Sequence, residues 1–168
     1  DAVKTGMLAN ADIVRAVASA GRRPGLPNLV VDPVMIAKGG DRLLEPAAVD
    51  AIIDGLLPLA RIVTPNIPEA EVLAGMAIAS LDDMREAGRR ILALGPRVVL
   101  VKGGHLGGAT SIDVAVTAGA SEEMGAERLA TRHTHGTGCT LASAIAANLA
   151  LGLDDLPAIR KAKAYVTD

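Results

Sequence analysis

Short, continuously apolar segments rich in β-branched residues recur along the chain, and helical patterns separate them. A strand that is apolar on both faces belongs in a parallel sheet covered by helices. The alternation of strand and helix predicts right-handed βαβ units. We therefore predict an α/β fold with a doubly wound, mostly parallel sheet and helices on both faces. The predicted strands are residues 2–4, 29–31, 61–63 and 98–101, and the predicted helices between them are residues 10–20, 46–57 and 80–94.

The C-terminal part of the chain shows a different pattern. Residues 112–117 alternate between apolar and polar positions, and with residues 127–131 they predict a hairpin-like or edge pair of strands. This pair follows a glycine-rich turn at residues 103–108. Two last helices are predicted at residues 138–151 and 154–166.

The composition excludes several classes of function. The chain carries 17 Lys plus Arg against 19 Asp plus Glu, which gives a net charge of −2. Nucleic-acid binding is not expected, because it needs clustered basic residues and, for base stacking, aromatic side chains, of which Tyr165 is the only one. The longest uncharged run, residues 136–153, contains Gly, Thr, Ser and Asn and reads better as a buried helix than as a membrane span.

The length of 168 residues is that of one domain. Such a domain buries enough surface to need neither a disulfide framework nor a structural metal. Cys139 is the single cysteine and excludes an internal disulfide. The chain begins at Asp1 and stops inside a predicted helix, so we expect residues 1–168 to be one domain cut at both ends.

Polar segments follow the predicted strands. They occupy residues 4–6, 32–33, 64–66 and 102–104, and a further polar segment at residues 135–139 precedes a helix. In an open α/β sheet, ligands bind beyond the carboxyl ends of the strands. These segments are therefore where we expect the functional site.

The most specific motif is the glycine-bearing turn at residues 134–140, which leads directly into an Ala-rich helix. Gly136 and Gly138 let the backbone approach a ligand closely, and the first helical turn and its dipole favour phosphate oxygens. Cys139 falls in that first turn, where the same field favours a reactive thiolate. The alternative is an ordinary transition from loop to helix with a small buried cysteine. The spacing matches neither a Walker loop nor a dinucleotide fingerprint.

Asn66 and Glu69 lie three residues apart where a strand ends and a helix begins. Their oxygens can converge on one point, which suits a Mg²⁺ ion held mostly through water and phosphate. The alternative, which the sequence by itself favours, is that Asn66 caps the helix and Glu69 completes a capping box.

Lys102 follows four apolar residues and precedes two glycines, so we expect its ammonium at a strand end near a phosphate, or else solvated at the edge of the sheet. The histidines show no paired spacing typical of metal ligands, and no zinc site is predicted. They are His105, His133 and His135.

Five segments taken together resemble one family, the hydroxymethylpyrimidine/phosphomethylpyrimidine kinases of thiamine biosynthesis, within the ribokinase-like superfamily. The resemblance runs through nearly the whole chain in the family's order, which makes it far more specific than any one motif. The segments are TGML at residues 5–8, VDPVM at 31–35, TPN with EA at 64–66 and 69–70, VKGGH at 101–105, and HGTGCT at 135–140.

The resemblance implies ATP-dependent phosphorylation of 4-amino-5-hydroxymethyl-2-methylpyrimidine and of its monophosphate, with Mg²⁺, by a cytoplasmic homodimer that binds neither nucleic acid nor membrane. It also assigns roles by position. Gly136, Thr137 and Gly138 line the anion hole, and Cys139 stands at the catalytic-base position, where related sugar kinases usually have Asp. Thr64, Asn66 and Glu69 organise Mg²⁺ and phosphate, Lys102 and Lys163 border the nucleotide, and Met7 and Val34 border the pyrimidine.

The sequence departs from the family pattern at both ends. The opening strand and Gly/Ser-rich loop that contribute to the pyrimidine pocket have no counterpart, and neither does the closing Gly/His-rich segment. Two alternatives therefore stay open. One is a pyridoxal-type kinase of the same fold, which Cys139 disfavours, and the other is a catalytically silent α/β module that keeps a nucleotide or anion site.

Overall fold

The computed structural model describes residues 1–23, 28–36, 42–104, 110–127 and 136–167. Their centre is a six-stranded sheet in the order β1-β2-β3-β4-β5-β6. The first four strands are parallel, and β5 and β6 continue the sheet antiparallel. The strands are β1 (Val3–Thr5), β2 (Leu29–Val31), β3 (Ile62–Val63), β4 (Val98–Val101), β5 (Thr110–Val116) and β6 (Ser121–Glu127).

The helices begin at residues whose side chains satisfy free backbone N–H groups. Asn10 accepts the N–H of Ile13, and Ser80 accepts the N–H of Asp83, so both act as N-caps of the predicted helices. The helices are α1 (Ala11–Gly21), α2 (Pro46–Ala51), α3 (Ile67–Ala74), α4 (Leu81–Leu92), α5 (Thr137–Ala150) and α6 (Asp155–Thr167). None of the helices described is long and apolar enough to cross a membrane.

Alternate residues of the parallel strands enter two separate cores, as expected for a sheet covered on both faces. Val31, Val63 and Val99 pack with α1 to α4, whereas Val30 and Ile62 pack with α5 and α6. The helices that connect successive parallel strands thus share one face, and the two C-terminal helices cover the other. The predicted fold with helices on both faces is confirmed.

Two predicted elements differ in the structure. The strand that pairs with β5 is Ser121–Glu127, which begins six residues before the predicted start at residue 127, because a tight turn joins Thr117 to Ala120 through the Ala120 carbonyl and the Thr117 N–H at 2.9 Å. Residues 128–131 lie outside the described part of the chain. The helix predicted at residues 46–57 is α-helical only to Ala51; it continues as a π-helical turn, Ile52–Leu56, and a 3₁₀ turn, Leu57–Leu59.

An ionic cluster fixes α6 at the amino ends of the strands. Both oxygens of the Asp155 carboxylate are used, one by Arg61 Nε at 2.6 Å and the other by Arg97 Nε at 2.8 Å. Arg61 and Arg97 directly precede β3 and β4, and Arg61 also donates to the side chain of Asn28 before β2. The start of α6 is therefore tied to three strands at the edge of the sheet opposite the predicted site.

Candidate active site

The carboxyl edge of the parallel strands carries a cluster of charged side chains around Asp32. The residue follows β2, and its carboxylate is buried. Lys102 Nζ lies 3.1 Å from Asp32 Oδ1, and Lys4 Nζ lies 3.7 Å from Oδ2. The Thr64 hydroxyl donates to Oδ1 at 3.3 Å. Four neighbouring strands thus contribute one polar side chain each to a single cluster, which we call the Asp32 cluster.

The predicted residues Lys102 and Thr64 belong to this cluster, but Asp32 and Lys4 were assigned no role from the sequence. Their positions gave a signal, since both belong to the polar segments at the strand ends. The strand order brings the four side chains together, because β1, β2, β3 and β4 are neighbours in the sheet. The two ammonium groups beside the Asp32 carboxylate supply hydrogen-bond donors that can also bind an anion.

The glycine-bearing turn lies next to this cluster. Gly136 has φ +83°, a left-handed conformation that glycine adopts without strain, and α5 begins at Thr137. A Cβ atom placed on Gly138 would lie 3.2 Å from Lys102 Nζ. The ammonium of Lys102 therefore stands between the Asp32 carboxylate and the start of α5. The structure thus brings Lys102 and the first turn of α5 together.

Cys139 lies in the first turn of α5 and is exposed. Cys139 is thus not the buried cysteine that the alternative interpretation expects. The N-cap residue Gly136 has no side chain to accept the N–H groups of that turn. A turn of this kind is suited to an external acceptor such as phosphate.

Asn66 and Glu69 form the capping box of α3, the alternative that the sequence favoured. Asn66 Oδ1 accepts the Glu69 N–H at 2.9 Å, and Glu69 Oε2 accepts the Asn66 N–H at 2.8 Å. Glu69 Oε1 also accepts the Met35 N–H at 3.4 Å. The backbone of Asn66 bridges to Lys102, whose N–H donates to the Pro65 carbonyl at 2.8 Å. The capping box therefore adjoins the Asp32 cluster.

Burial raises the pKa of the Glu69 carboxyl from its ordinary value of 4.5 to about 7. The Lys102 ammonium and the N–H groups of Asn66 and Met35 lower this pKa, and the Asp32 carboxylate raises it further. Desolvation is the largest of these effects, since the side chain is only 2% exposed. Glu69 thus changes its charge near neutral pH.

The oxygens at this edge fit a magnesium ion that is held chiefly by phosphates and water, which needs only one or two protein ligands. Asp32, Asn66 and Glu69 are the available donors, and each already accepts a hydrogen bond within the protein. Across the described ranges, no group of three or more His, Cys, Asp or Glu side chains could hold a metal on its own. The predicted histidines of this region, His105, His133 and His135, lie outside the described residues.

The remaining predicted site residues lie outside the Asp32 cluster. Met7 follows β1 and is 58% exposed, and Val34 follows β2 and is partly buried, so both lie at the carboxyl edge. Lys163 is buried on α6, where its ammonium donates to Asp113 Oδ2 at 2.6 Å. Asp113, on β5, was not singled out in the sequence.

An α/β sheet whose carboxyl edge presents lysines and a glycine-led helix start is typical of proteins that bind phosphate groups. The sequence profile described as phosphomethylpyrimidine kinase matches residues 1–168. The chain belongs to the phosphomethylpyrimidine kinase family.

Curated relatives agree with this family. The chain is 48% identical over 167 residues to the thiamine biosynthesis bifunctional protein ThiED of Geobacter sulfurreducens, covering 99% of the chain and 34% of that protein. It is 46% identical over 166 residues to the hydroxymethylpyrimidine/phosphomethylpyrimidine kinase of Streptomyces coelicolor, covering 99% of the chain and 61% of that protein. The chain thus spans less than two thirds of the length of these relatives.

Solved structures place the fold in the ribokinase-like group. The phosphomethylpyrimidine kinase of Clostridium difficile superposes with a TM-score of 0.87 at 43% identity, covering 99% of this chain and 67% of that one. The pyridoxal kinase of Staphylococcus aureus in complex with ADP superposes with a TM-score of 0.93 at 36% identity, covering 99% and 61%. Kinases for two different ring substrates therefore share this fold.

Proposed function

We propose that residues 1–168 form a single kinase domain that transfers the γ-phosphoryl group of ATP to 4-amino-5-hydroxymethyl-2-methylpyrimidine and then to its monophosphate. The family and the curated relatives named for these two reactions support the substrate. The observation that carries the proposal is the position of Lys102, 3.1 Å from Asp32 Oδ1 and beside Gly138 at the start of α5.

The charges around Lys102 suit the phosphates of a nucleotide. Phosphoryl transfer depends mainly on positioning and on neutralising the charge of the equatorial oxygens. Lys102 supplies an ammonium that is already oriented by Asp32, so little side-chain freedom is lost when a phosphate binds. The backbone of Gly136, Thr137 and Gly138 forms the anion hole in this proposal.

Cys139 is the proposed general base. The hydroxymethyl oxygen becomes a good nucleophile as its proton leaves, and the Cys139 side chain in the first turn of α5 would accept that proton. The new bond joins this oxygen to phosphorus as the bond to the ADP oxygen breaks, and ADP takes up the released electron pair. The exposed position of Cys139 leaves it accessible to a substrate.

MgATP, when bound, supplies the phosphoryl group and the divalent cation that offsets its charge. Thr64, Asn66 and Glu69 would organise the cation and the phosphates, with Asp32 as a further oxygen donor from the structure. Met7 and Val34 would border the pyrimidine, and Lys163, whose ammonium donates to Asp113, would lie on the side of the nucleotide. We also expect a homodimer in the cytoplasm, as the resemblance implies.

Turnover can be tested by mixing the chain with MgATP and, in separate reactions, with the hydroxymethylpyrimidine, its monophosphate or pyridoxal. We expect ADP release with both pyrimidines, and loss of release in Lys102→Met. Lys161→Met is the matched control, because this lysine is exposed on α6. Faster turnover of pyridoxal would instead favour the ring specificity of the Staphylococcus aureus neighbour.

Turnover separates the kinase from the silent alternative, because a silent module that keeps a nucleotide site would also bind MgATP. Calorimetry should detect binding of MgATP, because the Asp32 cluster and the turn of α5 place an ammonium beside a glycine-led helix start. Tight pyrimidine binding with no response to MgATP would contradict the proposal.

A further inference from the structure

A buried ion pair lies beside the site, and the reaction proposed above assigns no chemical step to it. Asp113 and Lys163 are 6% and 8% exposed, and their charged atoms are 2.6 Å apart. Asp113 belongs to β5 and Lys163 to α6, so the pair joins the antiparallel part of the sheet to the helix that covers it.

The second oxygen of Asp113 is also used. Asp113 Oδ1 accepts the backbone N–H of Gly103 at 2.9 Å. Gly103 is the residue after Lys102, beyond the last ladder pair of β4 and β5, Val101 with Val114. The Asp113 carboxylate therefore accepts a backbone N–H of the neighbouring chain segment just beyond the point where the pairing of β4 with β5 ends.

Close approach of the backbone explains the glycine at this position. A Cβ atom on Gly103 would lie 1.7 Å from the Ile112 carbonyl oxygen, a distance that no side chain tolerates. The contact brings the Gly103 N–H within reach of a carboxylate on the adjacent strand. Any residue larger than glycine would displace the chain immediately after Lys102.

The backbone of Lys102 is thus held from both neighbouring strands. Its own N–H donates to the Pro65 carbonyl on the β3 side, and the next N–H, that of Gly103, donates to Asp113 on the β5 side. Its side chain reaches the Asp32 cluster from this fixed base. A shift of the peptide between Lys102 and Gly103 would move the ammonium.

The stability of the fold does not by itself explain why the charged side chains of Asp113 and Lys163 are buried at this position. Replacing a buried ion pair by apolar side chains of similar volume is often neutral or stabilising, since desolvation of the charges offsets their attraction. A carboxylate held by a lysine, however, can accept a backbone N–H in a fixed direction.

We propose that Lys163 and Asp113 are positioning residues that fix Lys102 through the Gly103 N–H. The inference rests on the proposed function, because it gives Lys102 its task at the nucleotide phosphates. Lys163 acts through Asp113 in this reading and does not itself touch the nucleotide.

Two double variants test this. Lys163→Met with Asp113→Asn removes both charges and keeps an amide oxygen for Gly103, whereas Lys163→Met with Asp113→Leu removes the charges and the acceptor. Neither leaves an unpaired buried charge, so both are expected to fold, whereas Lys163→Met alone would leave the Asp113 carboxylate buried without its partner. Lys161→Met serves as the surface control.

The readouts are the dissociation constant of MgATP by calorimetry, kcat and KM for ATP, and hydrogen exchange of the Gly103 amide. We expect the Asn pair to stay close to wild type. The Leu pair should lose protection at Gly103 and bind MgATP about 10- to 100-fold more weakly, since small misplacements at a site of this kind have effects of that size.

Equal weakening in both double variants would overturn the inference, because it would mean that Lys163 contacts the nucleotide directly. Wild-type affinity in both would overturn it as well and leave the pair with a structural role. A wild-type chain that binds no nucleotide overturns the proposed function, and this inference with it. These three results are distinct from one another.

Discussion

The buried Glu69 should make the protein less stable as the pH rises, which is opposite to the effect of an ordinary ion-paired carboxylate. Glu69→Gln should remove this pH dependence. Burial raises the pKa of Glu69 from 4.5 to about 7, so the folded protein holds this proton more tightly than the unfolded chain does. As the pH rises from about 4.5 to about 7, the unfolded chain releases the proton first, and the free energy of unfolding falls. Above the folded pKa the loss is complete.

The size of the effect follows from the two pKa values. Relative to a pH at which Glu69 is protonated in both states, linkage lowers the free energy of unfolding by about 1 kcal/mol at pH 5 and about 3 kcal/mol at pH 8. Gln has no such titration, but its NH₂ group cannot accept one of the backbone N–H groups that Glu69 accepts, which costs about 1–3 kcal/mol at every pH. The free energy of unfolding of the variant minus that of wild type should therefore rise by about 2 kcal/mol between pH 5 and pH 8.

Urea denaturation of both proteins at several pH values measures this difference, and other titrating groups cancel in it. Asn66→Ala is the matched control, since it breaks the same capping box without removing a titrating group and should cost about 1 kcal/mol. A difference between Glu69→Gln and wild type that stays flat from pH 5 to pH 8 would refute the assignment of a desolvated carboxyl to this position.

Three other substitutions address the base, the turn and the opposite edge of the sheet. Cys139→Ala should lower kcat by about 10² to 10⁴ in steady-state assays and retain affinity for ATP, and turnover at the wild-type rate would leave catalysis to the anion hole. Gly138→Ala places a methyl group 3.2 Å from Lys102 Nζ, so calorimetry should show weaker MgATP binding with little change in melting temperature. Asp155→Asn removes the carboxylate charge that pairs with Arg61 and should lower the free energy of unfolding by about 2 kcal/mol in urea. Its MgATP affinity should not change, because Asp155 lies at the amino ends of the strands.

Local features of the sequence predict much of the fold. The apolar runs of β2 and β4 are the observed strands, and Ser80 caps α4 as its position before a helical pattern indicates. The glycine-bearing turn and the start of α5 also follow from neighbouring residues, and the structure adds the left-handed conformation of Gly136. These features depend on backbone preference and hydrogen bonds within a few residues, which the sequence states directly.

The start of β6 could not be predicted from local sequence features. The strand contains Glu122 and Glu123, which obscure the apolar alternation expected of a half-buried strand. Arg160 on α6 holds the first of these carboxylates, and Arg85 on α4 holds the second. The two carboxylates are thus paired with arginines from helices on opposite faces of the sheet. These pairs are tertiary contacts.

By itself, the sequence determined the fold class, the helix caps and the turn at residues 136–139, because each depends on nearby residues. Only the tertiary structure brought Lys102 to Asp32 across 70 positions and Lys163 to Asp113 across 50. Such pairs depend on strand order and register, which are set by the burial of both sheet faces. The raised pKa of Glu69 has the same origin, since the folded core removes the water that a carboxylate needs.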